Sequence, residues 1–132
     1  MKLLSREQFK EQVFARSKGK CVFCDKAAVD AHHILDRKLF SDGGYYLSNG
    51  AAVCEEHHLL CEYTVITVEE VREAAGISEF VLPTNFLKKV HYDKWGNLIN
   101  LDGTRLPGPL FEDHGCQKAL RAKGKISLFI RY

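Results

Sequence analysis

Apolar residues in the first twenty positions recur at helical spacing, with Phe9, Val13 and Phe14 forming one stripe. Ser5-Arg6-Glu7-Gln8 before them reads as a capping box, with Ser5 as the cap and Gln8 reaching back to it. Leu4 and Phe9 occupy the two positions of a hydrophobic staple, and Gly19 supplies a stop. A tight turn follows over residues 19–25. Residues 29–34 and 51–53 read as short strands separated by a polar, glycine-bearing loop at 36–49, in which Asp42-Gly43-Gly44 is the clearest turn signal. From Cys54 to about Tyr63 the pattern is helical. The local order is therefore strand, loop, strand, helix.

Further on, Thr67-Val68-Glu69-Glu70 is a second capping box, stapled by Ile66 and Val71 and closed by Gly76. Residues 80–82 and 89–92 look extended. Turn chemistry at residues 93–97 and at Asp102-Gly103 brackets a strand over 98–101. After the break at Pro107-Gly108-Pro109, the pattern predicts a helix over about 113–123, a stop at Gly124 and a last strand over 126–130. No repeat, low-complexity segment or linker interrupts the 132 residues, so a single domain is expected.

Composition adds little to this. Hydrophobic residues make up 45% and charged residues 27%, as in ordinary soluble domains, and the net charge is only +2. The distribution of charge says more than its total. Residues 1–20 carry Lys2, Arg6, Lys10, Arg16, Lys18 and Lys20 against Glu7 and Glu11, and residues 117–132 carry Lys118, Arg121, Lys123, Lys125 and Arg131 with no acid. Basic ends suit contact with a polyanion, although solvated faces have the same composition. The start turns polar at Ser5, so no signal peptide is expected, nor any membrane span. An intracellular, cytoplasmic setting is the expectation, where paired cysteines usually hold metal.

The cysteines and histidines follow that logic. Cys21-x2-Cys24 is a chelating knuckle, because two intervening residues let the backbone aim both sulfurs at one ion. Cys54 and His57 repeat the spacing thirty positions on and complete a Cys3His set, a normal combination for structural zinc. His57 keeps the x2 spacing and is preferred to His58, with Cys61 as the fallback fourth ligand. Cys116 has no neighbour in sequence and defaults to a core or surface thiol. Left over are His32, His33, Asn49 and His58, residue types suited to metal-assisted hydrolysis. Adjacent histidines on a strand point to opposite faces, so one can hold an ion while the other faces substrate. Asn49 can orient a ring by hydrogen bonding, and His58 on the first turn of the next helix can add a ligand. Glu62, one turn after His58, reads as a solvated helix carboxylate or as an extra ligand.

Taken together, Cys21-x2-Cys24, His32-His33-Ile34, Asn49 and Cys54-x2-His57-His58 resemble the HNH endonuclease family in its zinc-knuckle variant. The resemblance covers about residues 19–63, with 64–132 as a C-terminal elaboration. It departs from the family in having His57 where a cysteine is frequent. The resemblance implies an α+β fold: a small ββα-metal core around the zinc site, with additional helices and short antiparallel strands. It also implies a metal-dependent endonuclease acting on phosphodiester bonds of double-stranded DNA. In that reading His33 is the general base, His32 and His58 hold a catalytic Mg²⁺ or Mn²⁺, and Asn49 orients His33. Lys18, Lys20, Arg37 and Lys38 flank the motif and are the expected phosphate contacts, with Arg121, Lys123 and Lys125 as more distant ones. The alternative is a non-catalytic zinc-knuckle module that binds nucleic acid or a partner protein. His91 and His114 lie outside the motif, and Trp95 reads as a packing residue near a turn.

Overall fold

In the computed structural model, which describes residues 1–130, the chain forms an α+β fold with four α-helices and two small antiparallel sheets among those residues. Helix α1 (Arg6–Arg16) begins as its capping box dictates: Ser5 Oγ accepts from the Gln8 N–H, and Gln8 Oε1 accepts from the Ser5 N–H. It buries Phe9 and Val13 and ends at Gly19, whose φ of 76° lets its N–H return to the Phe14 carbonyl.

Strand β1 (Asp30–His33) pairs antiparallel with β2 (Gly50–Val53), in a register that sets His32 opposite Ala51 and His33 opposite Gly50. All of β2 is buried. Its residues are small because both faces are covered at close range. Ala51 joins a cluster with Ile34, Leu35, Phe40, Cys61, Val68 and Val71, while Ala52 joins Leu4, Phe9 and Val13 beneath α1. Val53 packs with Cys21 and Cys54. Gly-Ala-Ala is a poor strand sequence by propensity, and close packing between layers overrides that preference.

Helix α2 (Glu55–Glu62) follows directly, with Cys54 as its cap residue. The loop between β1 and β2 contains two 3-10 turns, Arg37–Leu39 and Leu47–Asn49. Helix α3 (Val68–Ala74) carries the second capping box and closes the largest cluster with Val68 and Val71.

The C-terminal half centres on the meander β3 (His91–Tyr92), β4 (Leu98–Ile99) and β5 (Arg105–Leu106) and on α4 (His114–Ala122). The Asp93 carboxylate organises it, accepting from the Trp95 and Asn97 backbone, the Asn97 amide and the Arg105 guanidinium. Asn97 Oδ1 in turn accepts from the Gly108 N–H at 2.7 Å. A Cβ on Gly108 would lie 2.1 Å from the Gly96 carbonyl oxygen, which explains the glycine between two prolines.

The picture of this half changes in four places. Residues 80–82 form no strand, the extended stretch at 89–92 pairs only over its last two residues, and β5 is an element that the sequence pattern does not signal. The expected strand over 126–130 is instead a 3-10 turn, Lys125–Leu128, entered from Gly124 at φ 70°. Three-residue periodicity puts Ile126 and Phe129 on one face, where both pack with Trp95, Cys116 and Leu120. Only Phe129 retains a β-bridge, to Arg105. No helix among the described residues is long and apolar enough to cross a membrane.

Gly50 tests the tightness of the layer between α1 and β2. A Cβ there would stand 2.5 Å from Val13 and 2.6 Å from Phe9, with no strain in its own extended backbone. Gly50→Ala is expected to lower unfolding free energy by about 1–3 kcal/mol in urea titrations, as overpacking does. An unchanged denaturation midpoint would show that the layer yields freely.

Candidate metal centre and histidine cleft

The four residues of the Cys3His set converge although they come from two distant segments. A bridge between Lys20 and Ala27 closes the knuckle turn, within which the Cys21 N–H donates to the Lys26 carbonyl. The Val22 N–H donates to the Ala52 carbonyl and fastens the turn to β2. Cys54 caps α2 and His57 lies on its first turn, so their ligand atoms meet those of Cys21 and Cys24 within 4.8 Å of one another. Two thiolates about 2.3 Å from one ion at the tetrahedral angle stand about 3.8 Å apart. Cys24 Sγ and Cys54 Sγ are 3.8 Å apart, and His57 Nδ1 is 3.7 Å from Cys21 Sγ and 3.1 Å from Cys54 Sγ. This donor set is compatible with structural zinc. Burial acts to raise the Cys21 thiol, but backbone N–H groups of Cys54 and Phe23 outweigh it and bring the thiol below its ordinary value, toward the thiolate that zinc requires. Phe23 stacks on the His57 ring at 5.3 Å. Cys61, the fallback ligand, is buried in the main core instead, where burial pushes its thiol up to about 12.

The leftover histidines line an open cleft of ≈ 1070 Å³ between α1, β1 and α2. Strand alternation separates them as expected. His32 turns toward α2 and is 2% exposed, whereas His33 turns toward α1, stacked 4.7 Å from the Phe9 ring and edge-on to Tyr45 at 5.0 Å. His58 Nε2 lies 3.1 Å from Glu62 Oε1 and 3.3 Å from Asp30 Oδ2. His32 Nδ1 stands 4.0 Å from the same Glu62 oxygen and, though buried, has no hydrogen-bond partner among the described residues. Ligands about 2.1 Å from one octahedral ion stand about 3.0 Å apart when adjacent and 4.2 Å when opposite. The spacings at Glu62 fall between those limits, and an orphaned buried nitrogen is what such an ion would satisfy. The three side chains therefore fit a divalent cation.

Burial lowers the pKa of His32 well below its ordinary value, and the nearby Lys94 charge adds to this. Burial likewise takes His33 to about 4, so both rings are neutral at physiological pH. For Glu62, burial pushes upward, but the His58 hydrogen bond and the Lys94 charge outweigh it and hold the carboxylate at about 2. Its hydrogen bond to Glu62 raises His58.

Several expectations need correction. Asn49 does not orient the His33 ring. Its Oδ1 accepts from the Leu35 N–H at 3.0 Å, and its Nδ2 donates to the carbonyls of Leu35 at 3.0 Å and Gly44 at 3.2 Å. Those three bonds pin the loop to the end of β1, so Asn49 shapes the backbone that follows the histidines. Glu62 is no solvated carboxylate but a member of the cluster. Of the four expected phosphate contacts only Arg37 lines the cleft. Lys18 and Lys20 sit at the exposed far end of α1, and Lys38 pairs with Asp113 at 2.9 Å. Arg6, Lys10 and Lys94 are the other basic residues lining the cleft, facing Glu7, Glu11, Asp30, Asp36 and Glu62, so it has no basic excess of its own. Arg6 and Lys10 belong to the basic N-terminal run of the sequence and share a face by their i, i+4 spacing. Trp95 is a packing residue, as expected.

Compared with protein-family models, with curated proteins and with solved structures, the chain matches none.

Two measurements follow from this geometry. Elemental analysis is expected to find about one tightly held zinc per chain in the wild type, lost together with cooperative folding in Cys21→Ser. A zinc-free but fully folded wild type would refute the assignment. Asn49→Ala leaves the backbone groups of Leu35 and Gly44 short of partners and is expected to cost about 3 kcal/mol of stability, judged by thermal or urea unfolding. If Asn49 mattered only to the His33 ring, stability would stay within about 0.5 kcal/mol of wild type.

Proposed function

We propose that the protein is a metal-dependent endonuclease of the HNH type, hydrolysing phosphodiester bonds in DNA. The observation that carries this reading is the arrangement of His32, His58 and Glu62 around one point, with neutral His33 in the same cleft on the opposite face of β1. The succession of β1, β2 and α2 beside the Cys3His set supports a ββα-metal core.

In this scheme His32, His58 and Glu62 hold Mg²⁺ or Mn²⁺, which supplies positive charge for the phosphate and the departing oxygen. His33 acts as the general base. Its ring is fixed between Phe9 and Tyr45, and its neutral form takes a proton from water as the water oxygen bonds to phosphorus. The ester bond opposite the incoming oxygen breaks, the departing oxygen takes a proton from solvent water, and the family pattern implies 5′-phosphate and 3′-hydroxyl ends. Arg6, Lys10 and Arg37 along the cleft are suited to backbone phosphates, contacts that position a strand without reading its sequence. The Cys3His set holds the knuckle against β2 and α2 and takes no part in the chemistry.

Purified protein with Mg²⁺ or Mn²⁺ is expected to nick or linearise supercoiled plasmid. His33→Ala is expected to keep its zinc and fold while losing about 10²–10⁴-fold in rate, the usual contribution of a general base. Wild-type protein that binds DNA yet leaves plasmid intact across several divalent ions would favour a non-catalytic binding module instead.

A further inference from the structure

The two oxygens of Glu62 face different partners. Oε1 points to the histidines, 3.1 Å from His58 Nε2 and 4.0 Å from His32 Nδ1. Oε2 is 3.2 Å from Lys94 Nζ. That lysine is only 5% exposed and is held on several sides. Its ammonium donates to Asp36 Oδ1 at 2.8 Å and lies over the Trp95 ring at 4.2 Å, while its carbonyl accepts from the Asp36 N–H at 2.9 Å. The next residue grips Glu62 at its other end, since Trp95 Nε1 donates to the Glu62 carbonyl at 3.0 Å. One turn of the C-terminal half thus restrains both the carboxylate and the backbone of Glu62.

We propose that Lys94 determines which divalent ions the cleft accepts, by capping Glu62 Oε2 so that a single carboxylate oxygen faces His32 and His58. This rests on reading those three residues as a divalent-ion site. Calcium takes six to eight oxygens and readily accepts both oxygens of a carboxylate, whereas smaller ions are content with one. Imidazoles favour manganese over calcium in the same sense. A capped Glu62 therefore narrows the site toward small ions, and it gives residues 93–97 a role as positioning elements.

Removing Lys94 also removes a repelling positive charge, but that acts alike on any dication at the same place. The ratio of two affinities isolates the effect of the cap. The zinc-loaded protein is titrated with Mn²⁺, followed by electron paramagnetic resonance, and bound Mn²⁺ is then competed off with Ca²⁺. Lys94→Met is expected to raise the affinity for Ca²⁺ relative to Mn²⁺ by about tenfold, the scale of groups that act behind metal ligands. Lys94→Gln, whose amide is one bond too short to reach Glu62, is expected to shift the ratio the same way and serves if the Met variant fails to fold. Adding Glu62→Gln, which leaves one oxygen only, is expected to abolish the shift. If both ions strengthen equally in a folded variant, lost repulsion accounts for everything and the proposal falls. If wild-type protein binds no more Mn²⁺ than a His32→Ala/His58→Ala variant, the ion-site reading itself falls and takes this inference with it.

Discussion

The pairing of β1 with β2 is the constraint on which the rest of the structure depends. Its register places His32 opposite Ala51 and His33 opposite Gly50, and a shift of one residue would exchange the faces of both histidines. Small side chains on β2 let α1 and α2 close in from opposite sides, so each histidine meets its own partners: Phe9 and Tyr45 for His33, His58 and Glu62 for His32. Arg16 strengthens the arrangement from α1 by donating to the carbonyls of Leu47 and Gly50. Asn49 does the same from within, tying the loop after β1 to the turn before β2.

The Cys3His set and the histidine cleft then share one helix. Cys54 and His57 commit the start of α2 to the zinc-type set, and the next residue, His58, is rotated by about 100° toward β1. Glu62 follows one turn later on the face of His58. A metal fixing the helix start would therefore fix the angle at which His58 and Glu62 enter the cleft. The scaffold and the proposed chemistry are coupled through helix geometry, with the His58 N–H donating to the Cys54 carbonyl at 2.9 Å.

The C-terminal half reaches into the same place. Asp93 gathers four donors and folds residues 93–97 into a rigid turn, which presents Lys94 to Asp36 and Glu62 and Trp95 to the end of α2. A buried lysine shared by two carboxylates is costly to desolvate and costly to disrupt, so it favours one arrangement over near alternatives.

Local signals sufficed for α1, α3 and the knuckle, because capping boxes and the x2 spacing act within a few residues. The same holds for the opposite facing of His32 and His33, which follows from the pleat of a strand. Tertiary structure decided what depends on partners distant in sequence. Asn49 turned to the Leu35 backbone because the loop brought that N–H and carbonyl to it. Glu62 became part of the cluster because Lys94, thirty-two positions away, pairs with it and leaves its side chain only about a quarter exposed. Residues 126–130 gave up an apolar alternation suited to a strand because the cluster around Trp95 rewards a spacing of three. Hydrophobic and polar patterning describes the faces an element can offer; which face is used, and against what, is settled only when the other layer arrives.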